Sequence, residues 1–459
     1  MELPRHIFRE YDVRGIVGKD LNAEIAELVG RAFASQVRDR ANTASVRVAV
    51  GRDNRPSSPS LRDGLVRGLR AAGAGVVDVG EVPTPTLYWS EATLGVDAGC
   101  QVTGSHNPSK WNGIKLVYGG DSLYGKSIGD LRRRIVERDL RSGFGSLEEV
   151  ETLDSYVEDL SGRFQLARPV KLVVDAGNGV GSLVAERLLT AIGAEVAPLH
   201  CEPDGTFPNH HPDPTVDENL QDLISLVRSG DFELGVGFDG DADRLGAVDE
   251  HGGIVRGDVL LLLFGLDALR ARGPGRKLVF DVKCSRILPE VFSAHGGVPV
   301  MWKTGHSLIK RKMKECGASL AGELSGHFIL ADGYRPFDDA PFAACRLASI
   351  VSRAPEPLSA IVSRFPKYVS TREVRAAVPE ADKWRIVEEV STLLASRYEV
   401  NTIDGVRADA GYGWALVRAS NTQPAVTVRC EARTREQLSE LSAEVEDALA
   451  RAGVEVALS

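Results

Sequence analysis

The sequence predicts three related α/β domains on mixed sheets and a smaller C-terminal α+β domain, gathered around a central cleft. Two observations carry that expectation: a strand–helix–strand pattern that returns three times, and a change of pattern after Pro366. A third is the length of 459 residues, enough for several hydrophobic cores.

The first copy of the pattern opens at Val46-Arg47-Val48-Ala49-Val50-Gly51. After a helical stretch it reaches Ala71-Ala72-Gly73-Ala74 and the run Val76-Val77-Asp78-Val79. The second runs from Lys171-Leu172-Val173-Val174-Asp175 through Ala191-Ile192-Gly193-Ala194 to the run at Val196. The third runs from Lys277-Leu278-Val279-Phe280-Asp281 through Ala294-His295-Gly296-Gly297 to Val298-Pro299-Val300. β-Branched residues mark the strands, helical apolar spacing the helices, and glycine the helix ends. Units of this length imply parallel pairing with right-handed crossovers. Beyond Pro366 the spacing predicts helices from Trp384 to Tyr398 and from Glu436 to Ala452, with strands at 415–418 and 425–429 between them. Helices beside a short antiparallel sheet read as α+β. The boundaries fall at 1–151, 152–252, 253–366 and 367–459.

Each repeat then reaches a polar loop after a further apolar run. These are Thr103-Gly104-Ser105-His106-Asn107-Pro108, Asp239-Gly240-Asp241-Ala242-Asp243-Arg244 and Gly322-Glu323-Leu324-Ser325-Gly326-His327. Ligands of open α/β sheets bind beyond the carboxyl ends of strands, so loops at equivalent places predict one shared cleft.

Composition narrows the function. The net charge of −9 argues against a nucleic-acid surface and leaves room for a local basic pocket that takes a small anion. No run of eighteen apolar residues occurs, and Met1-Glu2-Leu3-Pro4-Arg5 lacks a signal-peptide core, so the expectation is a cytoplasmic protein without membrane contact. Cys100, Cys201, Cys284, Cys316, Cys345 and Cys430 are scattered without a C-x-x-C pair, which suits neither a zinc site nor a disulfide framework.

The loops carry the chemistry. Ser105 follows a glycine that admits close backbone approach, and its hydroxyl is a candidate nucleophile or phosphate carrier. Asp239, Asp241 and Asp243 alternate, so a tight loop turns three carboxylates toward one point. They repel one another unless a hard cation neutralises them, and oxygen donors favour magnesium or calcium. Three protein oxygens leave coordination positions for a phosphate, and Arg244 adjoins them. A phosphorylated Ser105 would complete the sphere, the metal spreading charge in the transition state. Lys115 is placed to reach the same phosphate, and His106 to orient or stabilise Ser105. Glu323, Ser325 and His327 suit a polyhydroxylated sugar, and His327 can also move a proton. Arg418, Ser420, Asn421 and Thr422, with Arg429 nearby, form a phosphate-binding mixture. Taken singly, each loop also reads as an ordinary surface turn.

Taken together, in this order, the four loops resemble those of the α-D-phosphohexomutase family, and within it the bacterial phosphomannomutase/phosphoglucomutase group. Tyr11-Asp12-Val13-Arg14-Gly15, Asp281-Val282-Lys283-Cys284 and Lys303-Thr304-Gly305-His306-Ser307 add to the likeness, which spans nearly the whole chain. Ala242 stands where the family commonly has glycine. The resemblance implies a heart-shaped four-domain enzyme that interconverts hexose 1-phosphates and 6-phosphates. Ser105 would carry the phosphoryl group and bind Mg2+ with Asp239, Asp241 and Asp243, beside Arg244. Glu323 and Ser325 would hold sugar hydroxyls, and Arg418, Ser420, Asn421 and Thr422 the phosphate not in transfer. Lys283 and His306, and Tyr11 and Arg14, would contact the ligand from the third and first domains. Lys115, His327 and Arg14 are the candidates for general acid and base.

The implied route passes through a 1,6-bisphosphate, with glucose 1,6-bisphosphate as activator and a monomer or weak homodimer as the working form. Leu324 discriminates among sugars, because an apolar residue there resembles the glucose/mannose group whereas phosphoglucosamine mutases usually carry glutamine. Phosphoglucosamine mutase is the alternative within the family, and a magnesium-dependent sugar phosphatase the alternative outside it. A non-catalytic sensor would have lost Ser105 or the aspartates, and both are present.

Overall fold

A computed structural model of the chain describes residues 3–43, 45–421 and 423–458. In chain order the first region carries β1 (Val13–Ile16), α1 (Ala23–Ala41), β2 (Arg47–Arg52), α2 (Ser58–Ala71), β3 (Gly75–Glu81), α3 (Thr84–Thr93), β4 (Ala98–Val102), β5 (Trp111–Tyr118), β6 (Asp121–Ser122), α4 (Lys126–Glu137) and β7 (Leu147–Glu149). Next come α5 (Leu153–Ser161), β8 (Lys171–Asp175), α6 (Ala185–Ala191), β9 (Glu195–Leu199), α7 (Gln221–Ser229), β10 (Leu234–Phe238), β11 (Leu245–Asp249) and β12 (Ile254–Val255). The third region holds α8 (Gly257–Arg272), β13 (Lys277–Asp281), α9 (Ile287–Ala294), β14 (Val298–Trp302), α10 (His306–Cys316), β15 (Leu320–Gly322), β16 (Phe328–Leu330), α11 (Ala340–Arg353) and α12 (Leu358–Ser363). The last holds β17 (Val369–Ser370), β18 (Val374–Ala377), α13 (Lys383–Ala395), β19 (Glu399–Asn401), β20 (Val406–Asp409), β21 (Gly413–Ala419), β22 (Ala425–Ala432) and α14 (Arg435–Arg451).

The threefold repeat is real. β2–β3, β8–β9 and β13–β14 are parallel pairs, joined through α2, α6 and α9. Gly73, Gly193 and Gly296 lie just past these helices at φ of +88°, +102° and +84°, the left-handed turn that ends a helix. In every copy a third strand, β4, β10 or β15, pairs parallel with the first strand on its other side. The polar loops follow these three strands, so they occupy one topological position. β5 and β11 then return antiparallel to β4 and β10, which makes those sheets mixed.

The chain divides into two compact units, Met1–Gly257 with Ser325–Ile361, and Asp258–Leu324 with Val362–Ser459. The first contains a seven-stranded sheet, β1-β5-β4-β2-β3-β7 with β6 beside β5, and a five-stranded sheet, β12-β11-β10-β8-β9. Its largest core packs α1, α2 and α4 on the first sheet through Phe33, Leu61, Leu65, Leu69 and Ile128. In the second unit α13 and α14 contribute Val390, Leu394, Val445 and Leu449 to the core of the six-stranded C-terminal sheet.

Some expectations shift. α13 stops at Ala395 rather than Tyr398, because the chain must turn into β19, which pairs with β20. α14 keeps the expected helix within one residue at each end. Sequence reading passed over α1, although Asn22 caps it by accepting from the Ile25 amide at 2.9 Å. It also passed over β18, β19 and β20, short strands interrupted by charge.

Candidate active site

The loop after β4 is built from beneath. Arg55 has no exposed surface, and its guanidinium donates to the carbonyls of Ser105 (2.5 Å), Asn107 (2.7 Å), Pro108 (2.9 Å) and Trp111 (3.1 Å). Asp53 accepts from Arg55 Nε at 3.0 Å and from the Gly104 amide at 3.1 Å. A Cβ on Gly104 would lie 2.5 Å from Arg55 Cζ, so only glycine lets the loop close over the guanidinium. Held this way, Ser105 adopts φ +49°, a left-handed conformation costly for a residue with a Cβ. Its Oγ donates to Asp239 Oδ2 at 2.9 Å and lies 3.1 Å from His106 Nδ1. Burial, and then the positive charge of Arg244 and Arg14, hold the His106 pKa well below the usual imidazole range, so the ring is neutral.

The acidic loop joins β10 to β11, so strands rather than an EF-hand helix pair flank it. Asp239, Asp241 and Asp243 have no exposed surface, and one ligand atom from each lies within 4.8 Å of the others. Asp239 Oδ1 accepts from the amides of Asp243 and Arg244, both at 3.1 Å, which folds the loop back on itself. A Cβ on Gly240 would come within 2.5 Å of the Ser105 carbonyl, so glycine here permits the two loops to touch. Asp241 Oδ2 accepts from the Thr84 hydroxyl at 2.5 Å and from Lys115 Nζ at 2.7 Å. Lys115 also donates to Asp243 Oδ2. Burial, with repulsion from Asp243 and Asp241, raises the Asp239 pKa well above the carboxylate range. Burial pushes Asp241 up too, but Lys115 and Thr84 outweigh it and hold that carboxyl low. Burial likewise opposes the Lys115 charge, and the two aspartates overcome it.

The donor set fits a hard cation. Asp241 Oδ1 and Asp243 Oδ1 are buried acceptors with no hydrogen-bond partner among the described residues. Such oxygens are costly to bury unless something positive meets them. Lys115, expected beside the phosphate, braces two of the aspartates directly with its ammonium.

Arg244 and His327 complete this group. Arg244 Nε donates to His327 Nε2 at 3.0 Å, and His327 Nδ1 lies 3.0 Å from Asp338 Oδ2. Both ring nitrogens of His327, one of the candidates for general acid and base, are engaged. Arg14 Nη1 reaches the Gly104 carbonyl at 3.5 Å while Nη2 pairs with Asp12. Tyr11 is half-buried just before this segment, and Ser325 is half-buried after the third loop's carboxylate.

The other expected residues belong to the second unit. Glu323 is buried and accepts from the Gly305 amide at 2.7 Å, at the start of the helix that begins with His306. Asp281 accepts from the Leu324 amide and the Thr304 hydroxyl, each at 3.2 Å. Lys283 Nζ lies 3.5 Å from Glu373 and 3.9 Å from Asp281, and its carbonyl accepts from Arg429 at 2.8 Å. Arg418 is buried and donates to Asp404 at 3.0 Å, and Asp404 also accepts from the Thr304 amide at 2.9 Å. The Ser420 carbonyl accepts from Lys383 Nζ at 2.8 Å. Asn421 follows it, half-buried, and Thr422 lies outside the described residues.

Four family models, described as phosphoglucomutase/phosphomannomutase α/β/α domains I, II and III and the C-terminal domain, match residues 5–139, 154–253, 256–368 and 373–448 in order. The chain belongs to the phosphoglucomutase/phosphomannomutase family. It is therefore an isomerase acting on hexose phosphates. A phosphomannomutase/phosphoglucomutase of Pseudomonas aeruginosa is 47% identical over 440 residues, 96% of this chain and 94% of that protein. A phosphoglucomutase of Neisseria meningitidis is 43% identical over 442 residues, 94% of each. The crystal structure of a phosphoglucomutase/phosphomannomutase family protein from Burkholderia thailandensis superposes with a TM-score of 0.92 at 43% identity, covering 98% of both chains. The phosphoglucomutase/phosphomannomutase family is magnesium-dependent, in keeping with the buried acidic triad.

Asp53, Arg55, Thr84 and Asp338 escaped the sequence reading. Asp53-Asn54-Arg55 follows the first strand of the first repeat, at the carboxyl end where functional loops gather, and that position was a usable signal. Thr84 lies 157 residues from Asp241 and gave none, and Asp338, 11 residues after His327, stands outside the polar loops that drew the reading.

Proposed function

We propose that this phosphohexomutase interconverts the 1- and 6-phosphates of mannose and glucose through a phosphorylated Ser105 and a 1,6-bisphosphate intermediate. The observation that carries the reading is Ser105 Oγ donating to Asp239, within a buried triad whose other members keep unpartnered oxygens. Asp239, Asp241 and Asp243 would hold Mg2+ together with the phosphoserine. When bound, the metal supplies positive charge to the transferring phosphoryl group.

The chain's own residues supply the rest. Arg244 and Lys115 add fixed positive charge beside Ser105, where charge spreads over the phosphoryl oxygens. The phosphoserine P–O bond breaks as the free sugar hydroxyl bonds to phosphorus, and the proton that this hydroxyl gives up is passed to the departing Ser105 oxygen. Of the candidates, Lys115 and Arg14 lie beside the reacting loops, and neutral His106 stabilises the serine oxygen. The intermediate then presents its other phosphate, which returns to Ser105. Glu323 and Ser325 would hold the sugar hydroxyls. Tyr11, Lys283 and His306 would contact the ligand, and Arg418, Ser420, Asn421 and Thr422 would bind the phosphate not in transfer. Glucose 1,6-bisphosphate would prime enzyme that has lost its phosphate. We take 1–151, 152–252, 253–366 and 367–459 as the four domains, and the cytoplasm and a monomer or weak dimer as the setting. Among the described residues no helix is long and apolar enough to cross a membrane.

Coupled assays with glucose 1-phosphate and mannose 1-phosphate, magnesium and a trace of glucose 1,6-bisphosphate test the reading. Comparable turnover of both, abolished in Ser105→Ala, is the expected result. Preferred turnover of glucosamine 6-phosphate would overturn the sugar assignment. Release of inorganic phosphate in step with sugar consumption would replace mutase by phosphatase.

A further inference from the structure

We propose that Asp338 is a positioning residue for Arg244, acting through a His327 ring held with its hydrogen on Nδ1. The inference rests on the reading of Ser105 and the aspartates as the reacting site. Arg244 Nε is a donor with nothing to accept with, and it lies 3.0 Å from His327 Nε2. Nε2 is therefore the bare, accepting nitrogen of a neutral ring. The single ring hydrogen then sits on Nδ1, 3.0 Å from Asp338 Oδ2 and 3.6 Å from Asp243 Oδ1, so Asp338 is the acceptor. His327 is 5% exposed and Asp338 0%, which keeps water from substituting for either partner.

The backbone builds the same relay. Arg244 and His327 face each other in an antiparallel bridge, and the Leu245 amide donates to the Gly326 carbonyl at 3.0 Å. Asp338 is bridged to Ile329, two residues beyond His327. The three side chains thus hang from neighbouring extended segments rather than from a loop free to drift. At the far end, Arg244 Nε stands 4.0 Å from Asp239 Oδ2, the oxygen that accepts the Ser105 hydroxyl. A guanidinium pinned there needs no reorganisation as charge develops on the transferring group. A hydrogen on Nε2 would set two donors against each other and release Arg244. His327 consequently acts as a spacer with one acceptor and one donor, and the reacting proton travels elsewhere.

The full-length enzyme labelled with 15N-histidine reads this directly, the His327 resonances being assigned by their loss in His327→Gln. The expected spectrum of the unmodified enzyme shows the Nδ1–H tautomer. In Asp338→Asn the side-chain amide can donate to Nδ1, so the ring moves to the Nε2–H tautomer. Turnover then falls about 10- to 100-fold, with KM for glucose 1-phosphate changed less than about threefold. His327→Gln, which keeps one acceptor and one donor, retains about tenfold or more activity over His327→Ala. An Nε2–H tautomer in the unmodified enzyme overturns the proposal, as does unchanged turnover in Asp338→Asn. Equal loss in His327→Gln and His327→Ala overturns it by making the ring a proton carrier. Because the tautomer is read without turnover, failure of the mutase reading would be seen separately, as absent activity in the unmodified enzyme.

Discussion

Ser105 keeps its left-handed backbone because Arg55 takes its carbonyl and three others, while Asp53 neutralises that guanidinium. Arg55→Met should therefore cost more than lost packing, since it leaves the Asp53 carboxylate buried without its cation. We expect a stability loss of about 3–5 kcal/mol in denaturant titration, with activity falling even in the folded fraction. Thr84 acts on a single oxygen. Its hydroxyl and Lys115 share Asp241 Oδ2, leaving Oδ1 to turn elsewhere. Thr84→Val keeps the shape and removes the donor, so magnesium affinity should drop about 10-fold or more in calorimetric titration. Unchanged affinity would show that Asp241 needs no such brace.

At the scale of elements, α11 begins on a buried acid. Asp339 caps it by accepting from the Phe342 amide at 2.8 Å, and it also accepts from the hydroxyls of Tyr156 and Tyr334. Burial outweighs those bonds and pushes its pKa up from 3.8 to about 6. The folded protein then holds this proton more tightly than the unfolded chain does. The stability it confers is complete below about pH 4 and is lost as pH rises through about 6. The difference corresponds to roughly 3 kcal/mol, and Asp339→Asn should flatten that slope in melts run between pH 4 and 7. In the second unit, Arg407 lies 3.7 Å from the Trp414 ring and donates to the carbonyls of Val282 and Cys284. It thereby ties β20 to the segment that carries Lys283. Arg407→Leu should lower the melting temperature, since those carbonyls lose a buried donor.

At the scale of the molecule, three sheets repeat one topology and a fourth differs, and the chain groups into two compact units. One unit boundary falls between Leu324 and Ser325, inside the third polar loop. The acidic triad belongs wholly to the first unit. A cation there binds the folded chain and not the unfolded one, so saturating magnesium should raise the melting temperature and chelation should lower it. Asp243→Asn should shrink that shift together with the activity. A magnesium-independent melting temperature would argue against a triad that binds the ion tightly.

Much of this protein could be read along the chain. The strand–helix–strand repeats were legible because alternating and 3.6-residue apolar spacing are local, and the glycines past α2, α6 and α9 are local signals too. Ser105 and the alternating aspartates were legible for the same reason, each group being consecutive in sequence. Tertiary structure alone decided their partners. Arg55 lies 50 residues from Ser105, Thr84 lies 157 from Asp241, and Arg244 lies 83 from His327. It also gave Lys115 to the aspartates and filled both nitrogens of His327. Periodicity records which face of an element is buried. It carries no record of which distant donor meets a buried oxygen, because that choice is made only when strands from separate repeats pack and water leaves.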